Sequence, residues 1–285
     1  MARQRGQGKS RSSTAYTRPQ TAQEPAAPLL LADLSSRGFE EACADIDLVL
    51  LPVGAHEQHG PALPVSTDTI TAQVLCALAG ALLRPRVAIA PAIPWGVSRH
   101  HMGLPGTITL HEETLISIVE DVVTSLADNG ISRFLVVNTH GGNNAALHVA
   151  AERCHARHGI PIVVAIDGYT LVANAASDIL GPEAIGHAGG DEASVVLATR
   201  PDLVDVSRLG SPQVNQALRR SQAVVRAARG VLPVAMDRLT PSGATGDSSG
   251  ANGDAGSAIL GRAAGQLRAI AEEVMELDID AFRRP

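Results

Sequence analysis

Glu57, His59 and Asp68 lie close together in the run from Leu50 to Asp68. In extended chain, residues i and i+2 point to the same side, so Glu57 and His59 can face one small volume. Pro61 and Pro64 turn the chain before Asp68 is reached. Two carboxylates and an imidazole suit a borderline divalent metal such as zinc or manganese. The same residues could also form an ordinary polar loop. Further groups of this kind follow in Asn138-Thr139-His140-Gly141-Gly142-Asn143, in His187-Ala188-Gly189-Gly190-Asp191-Glu192, and in the pair His100-His101 within Trp95–Thr107. The paired glycines after His140 allow close backbone approach to a ligand or metal. The pattern is not G-x-G-x-x-G, so a dinucleotide site has little support.

Short apolar runs alternate with amphipathic segments, and these must position the groups. Leu48–Val53 reads as a buried strand, stopped by Pro52 and Gly54. Ile70, Val74, Leu75, Leu78 and Leu82 recur at helical spacing over 69–83. Val87–Pro91 reads as a strand and Glu112–Asn129 as an amphipathic helix, with Gly130 at its C-cap. Arg133–Asn138 is a strand, Asn144–His158 a helix and Ile162–Ile166 another strand. Helices are also expected at 35–43, from Glu192 to Ala198, and over 258–275, with a long Gly/Ser-rich loop at 241–257 before the last. This β-α-β-α-β-α-β order predicts an α/β fold, a three-layer α/β/α sandwich with a mainly parallel sheet. In such sheets function sits beyond the carboxyl ends of the strands, where the Glu57/His59 pair and His140 fall.

The composition, 45% hydrophobic and 18% charged over 285 residues, is that of a soluble globular chain. A net charge of −6 argues against nucleic acid, and 2% aromatic residues leave few platforms for stacking bases. Three widely spaced cysteines, Cys43, Cys76 and Cys154, suit a reducing cytosol, so a cytoplasmic location is expected. Residues 1–27 are basic and polar and read as a disordered tail; 28–285 reads as a single domain. No apolar run is long enough for a signal peptide or a membrane span. His148, His155 and His158 read as surface residues on the helix after His140, His111 as a neighbour of a helix cap, and Cys76 and Cys154 as core. Asp167 and Tyr169, after a strand, could line the site or serve only its loop.

Four blocks, P-V-G-x-x-E-Q-H-G-P-x-L-P-x-x-T-D, H-x-x-x-P-G-T, N-x-H-G-G-N and H-A-G-x-x-E, occur in that order between residues 52 and 192. Together they resemble the creatininase family of metal-dependent amidohydrolases. The resemblance implies an α/β fold, a dinuclear centre of Zn2+, Mn2+ or Fe2+, and a homo-oligomer, in many members a hexamer. Glu57, His59, Asp68, His140 and Glu192 would be the metal ligands. Asp68 would bridge, with Glu57 and His140 completing one site and His59 and Glu192 the other. Asp191 competes with Glu192 for its place. His187 would transfer a proton or stabilise a tetrahedral intermediate beside Glu192 as catalytic residues; the alternative makes His187 a hydrogen-bonding neighbour. Ser98, His101, Gly141 and Asn143 are the substrate-binding candidates. The implied reaction is hydrolysis of a C–N amide bond in a cyclic amide, formamide or short peptide by a metal-bridged water. The competing reading is a metal-binding scaffold without catalysis. Creatininases place tryptophans around their cyclic substrate, and this chain has one, Trp95, in a different block.

Overall fold

A computed structural model describes residues 27–228 and 230–283. The expected tail at 1–27 therefore lies, but for its last residue, outside the described residues. Among the described residues, five strands form one parallel sheet: β1 (Leu29–Leu30), β2 (Leu48–Val53), β3 (Val87–Ile89), β4 (Arg133–Asn138) and β5 (Ile162–Asp167). Their order is β1-β3-β2-β4-β5. The helices are α1 (Ser36–Cys43), α2 (Thr67–Ala81), α3 (Glu112–Ala127), α4 (Asn144–His158), α5 (Gly168–Leu180), α6 (Gly190–Thr199), α7 (Gln216–Ala227), α8 (Met236–Leu239) and α9 (Gly253–Glu276).

Alternation along β2 and β4 builds two cores on one sheet. Val49, Leu51, Val53, Phe134 and Val136 face α3 and α4, joined by Leu115, Val119, Leu147 and Cys154. Leu48, Leu50, Leu135 and Val137 face the other way, onto Leu75 and Cys76 of α2, Val172 of α5 and Ile259 and Leu267 of α9. Each such side chain contributes about 1.5–3 kcal/mol when fully buried. A slip of one residue would exchange the two faces and every contact on them, so the register is strongly specified. Layers of helices on both faces are the architecture that continuous apolar strands require.

Several boundaries differ from the sequence reading. The helix expected to begin after Asp68 starts at Thr67, so Asp68 lies in its first turn. The helix expected from Glu192 starts at Gly190. The Gly/Ser-rich loop ends earlier than 257, because the Asn252 side chain accepts the Ala255 N–H and starts α9 at Gly253. The helix α5, with Val172, Ala175 and Ala176 buried, and the two-residue edge strand β1 go beyond the expected elements. Among the described residues, no helix is long and apolar enough to cross a membrane.

Candidate metal centre

Val53 and Asn138 are register partners at the carboxyl ends of β2 and β4. The Glu57/His59 loop leaves from one and the His140 loop from the other. Asp68 and Glu192 enter the same volume from the first turns of α2 and α6. Helix N-termini favour carboxylates there.

Each imidazole is anchored on one nitrogen and free on the other. His59 Nδ1 lies 3.0 Å from the Glu57 carbonyl, which leaves Nε2 3.4 Å from Asp68 Oδ1 and 3.6 Å from Glu192 Oε2. His140 Nε2 lies 3.0 Å from the Val97 carbonyl, with Ser98 Oγ at 3.3 Å. Its Nδ1 is then 3.2 Å from Glu57 Oε1 and 3.5 Å from Asp68 Oδ2. The two oxygens of Asp68 thus face two different imidazoles. A backbone carbonyl that holds one ring nitrogen fixes the tautomer and aims the other, as at metal-ligating histidines. Gly142 permits the approach of the loop at Val97, for a Cβ there would collide with the Val97 carbonyl and the His140 ring.

Glu57 Oε1 and Oε2, His59 Nε2 and Asp68 Oδ2 are buried without a hydrogen-bond partner. Buried polar atoms in that condition are costly. Divalent cations held among these residues would satisfy them, and the nitrogen/carboxylate donor set suits such ions. Among the described residues, ligand atoms within 4.8 Å of one another form three groups: His59-Asp68-Glu192, Glu57-His100-His140 and Glu57-His59-His187.

The electrostatics follow from placing three carboxylates and several imidazoles in one buried volume. Burial works against charge on His59, but Asp68 and Glu192 outweigh it and raise its pKa to about 10. Burial likewise opposes charge on His140, and Glu57 and Asp68 raise it to about 9. Burial pushes Glu57 up, yet His140, His187 and His101 hold it well below the ordinary carboxylate range. Glu192 goes the other way: burial raises it well above that range against the pull of His59, with Asp191 and Asp68 adding to the rise. Burial also draws His101 down to about 3 and His187 well below the usual histidine value, so both rings are neutral near pH 7.

A raised histidine pKa stabilises the folded, metal-free chain fully below about pH 6.5. That contribution is lost as pH rises through about 9 and about 10. A metal must displace the same protons. Zn2+ uptake at pH 7.5 is therefore expected to release protons and to tighten as pH approaches 9. Calorimetric titration in two buffers of different ionisation enthalpy measures the release; a buffer-independent heat would contradict it. The carboxylates thus carry the loss of ligation to higher pH than unperturbed histidines near 6.5 would give.

The other expected residues divide. His187 lines the centre: its ring centroid is 4.2 Å from that of His59, and its Nδ1 is 3.6 Å from Glu57 Oε1. The backbone after it is strained, with Ala188 at φ 53°, and the Ala188 N–H donates to Glu192 Oε2 at 2.7 Å. Asp191 is turned away, accepting the Tyr169 hydroxyl at 2.6 Å. Neighbouring helical residues diverge by about 100°, so only one of Asp191 and Glu192 can face the cluster. Asn143 is buried, and its amide is committed to the Val97 N–H, the Gly54 carbonyl and Asn138. It ties loops together, so it is not placed to meet a substrate. Ser98 is likewise buried against His140, and His101 against Glu57 and Gln58. Gly141 is exposed beside His140. His155 and His158 lie off the site, at the Ile160 carbonyl and at Glu120. His100, one of the histidine pair, joins the group of Glu57 and His140; Gln58 is not singled out by the sequence, and its position between two ligand candidates is the available signal.

A cavity of about 260 Å³ opens beside His59, walled by Pro61, Ala62, Ala188, Pro212, Pro241 and Ala244, with Arg208 as its charged side chain. No Phe, Tyr or Trp lines it among the described residues, and Trp95 is 46% exposed elsewhere in the fold.

These features define a buried carboxylate–imidazole centre at the switch edge of a parallel α/β sheet. The family model described as creatininase, creatinine amidohydrolase, matches residues 32–271. The chain belongs to the creatininase family. It is 34% identical over 168 residues to the mycofactocin precursor peptide peptidase of Mycolicibacterium smegmatis, covering 55% of this chain and 60% of that protein. It is 30% identical over 198 residues to the creatinine amidohydrolase of Pseudomonas putida, covering 64% of this chain and 75% of that protein. The match thus spans about three-fifths of the mycofactocin peptidase. A crystal structure of creatinine amidohydrolase (creatininase) superposes with a TM-score of 0.70 at 22% identity, covering 88% of this chain and 99% of that one. The fold is that of the family, and its His/Glu cluster points to divalent metal binding.

Proposed function

We propose that this chain hydrolyses a C–N amide bond in a small molecule or short peptide, using two divalent ions, Zn2+, Mn2+ or Fe2+. The carrying observation is Asp68, whose two oxygens face His59 and His140 separately. Glu57 and His140 would hold one ion with Oδ2, and His59 and Glu192 the other with Oδ1. Bound there, divalent ions supply an acidified water and a charge that polarises a carbonyl.

The protein's own part is orientation and proton movement. His187 has its Nε2 fixed 2.7 Å from the Gln58 carbonyl, so its Nδ1 is the atom turned to the centre. A neutral imidazole there can take a proton and return it to the departing nitrogen. The substrate would enter through the cavity over His59. Its proline and alanine walls fit an aliphatic group, and its size admits a small one. Relatives acting on creatinine or on a mycofactocin precursor peptide make both classes worth assaying here. A homo-oligomer, as a hexamer, and a cytoplasmic setting belong to the same proposal.

The test is a panel of formamides, cyclic amides and short peptides assayed with metal-loaded protein for carboxylate and amine release. Turnover on at least one class is expected, removed by chelation and restored by Zn2+ or Mn2+. A fully loaded protein that cleaves none of them would leave a metal-holding scaffold as the function.

A further inference from the structure

The amide of Gln58 lies between the candidate centre and the loop that walls the cavity. Its Oε1 accepts the Gly60 N–H at 3.0 Å, and its Nε2 donates to the Gly243 carbonyl at 3.2 Å. A backbone N–H only donates and a carbonyl only accepts, so the orientation of the amide is determined. The second Nε2 hydrogen is left for His101 Nδ1, 2.7 Å away. That contact requires a bare Nδ1, and the His101 proton therefore sits on Nε2, 3.4 Å from Glu57 Oε1. His187 Nε2 is 3.2 Å from the same amide nitrogen, but donates to the Gln58 backbone carbonyl at 2.7 Å. Gly243, at φ 81°, makes the room: a Cβ there would collide with the Gln58 amide. His101 is 1% exposed, so water does not compete for its nitrogens.

We propose that Gln58 is a positioning residue that holds His101 as its Nε2–H tautomer and, through it, orients the Glu57 carboxylate toward His140. The proposal rests on the reading of Glu57 as a metal ligand. It makes one half of the centre dependent on Gln58 and leaves the His59–Glu192 half independent.

The experiment uses the full chain labelled with 15N-histidine, with the His101 signals assigned by their loss in His101→Gln. The wild type should show the Nε2–H pattern at His101. Gln58→Glu should reverse it, because a carboxylate can only accept, while His187, held by a backbone carbonyl, stays Nε2–H. In Zn2+ titrations Gln58→Glu and Gln58→Met should each weaken one site by roughly 10–100-fold, the usual cost of losing a group that orients a ligand. The other site should be unchanged. If Gln58→Met does not fold, Gln58→Glu decides alone. An unreversed His101, or equal effects on both sites, would overturn the role of Gln58 while the metal reading stands. A wild-type chain that takes up no Zn2+ would overturn the metal reading of Glu57 and, with it, the orienting role, whatever the tautomers show.

Discussion

Asp68→Ala is expected to cost the protein both metal ions together and to lower amide turnover by more than roughly 100-fold. That factor is the upper end for groups that only orient a ligand, and a shared ligand should exceed it. The reason is geometric. Asp68 Oδ1 is 3.4 Å from His59 and Oδ2 is 3.5 Å from His140, so one carboxylate serves both halves. Removing it also leaves two imidazoles beside Glu57 and Glu192 without the charge between them. Glu57→Ala should by contrast lose the His140 half first, since its Oε1 lies 3.2 Å from His140 Nδ1. Elemental analysis of both variants beside their turnover on one substrate separates the two patterns. An Asp68→Ala protein that retained two ions per chain would remove the bridge from the proposal.

His187→Asn is expected to keep both ions and to lose roughly a hundred- to ten-thousandfold in kcat, the usual contribution of a general acid–base group. His187 packs its ring on His59 and turns its Nδ1 to the cluster, 3.6 Å from Glu57 Oε1, while its Nε2 is held by backbone. Glu192 approaches His59 from the same block and is tied by the Ala188 N–H. Glu192→Gln should therefore lower metal content and turnover together. Metal stoichiometry and kcat measured on the same sample decide between the roles. If His187→Asn lost metal in proportion to activity, His187 would be a ligand, as its grouping with Glu57 and His59 also allows.

Much of the architecture was legible because local patterns carried it. Continuous apolar runs marked β2, β4 and β5, and helical spacing marked α2, α3 and α4, because burial on both faces of a parallel sheet leaves no polar alternation. The edge strand β1 spans two residues and pairs only with β3, so its short apolar run held too little pattern to identify it. The helix α5 begins at Gly168, directly after β5, with no preceding polar turn to announce it.

At the candidate site, residue type and block order determined which imidazoles and carboxylates could meet. Only the tertiary structure decided where each one points. Asp191 and Glu192 are equivalent in sequence, and the start of α6 at Gly190 turned one to Tyr169 and the other to His59. Asn143 and Ser98 looked suited to substrate, but loops from other strands claimed their polar atoms. The hold of Gln58 on His101 runs across 43 residues and depends on Gly243, 185 residues away in sequence. A hydrogen bond needs its donor and acceptor to meet within about 3 Å. Types and spacing state which groups can bond; across such separations, only the packing of the chain states which of them do.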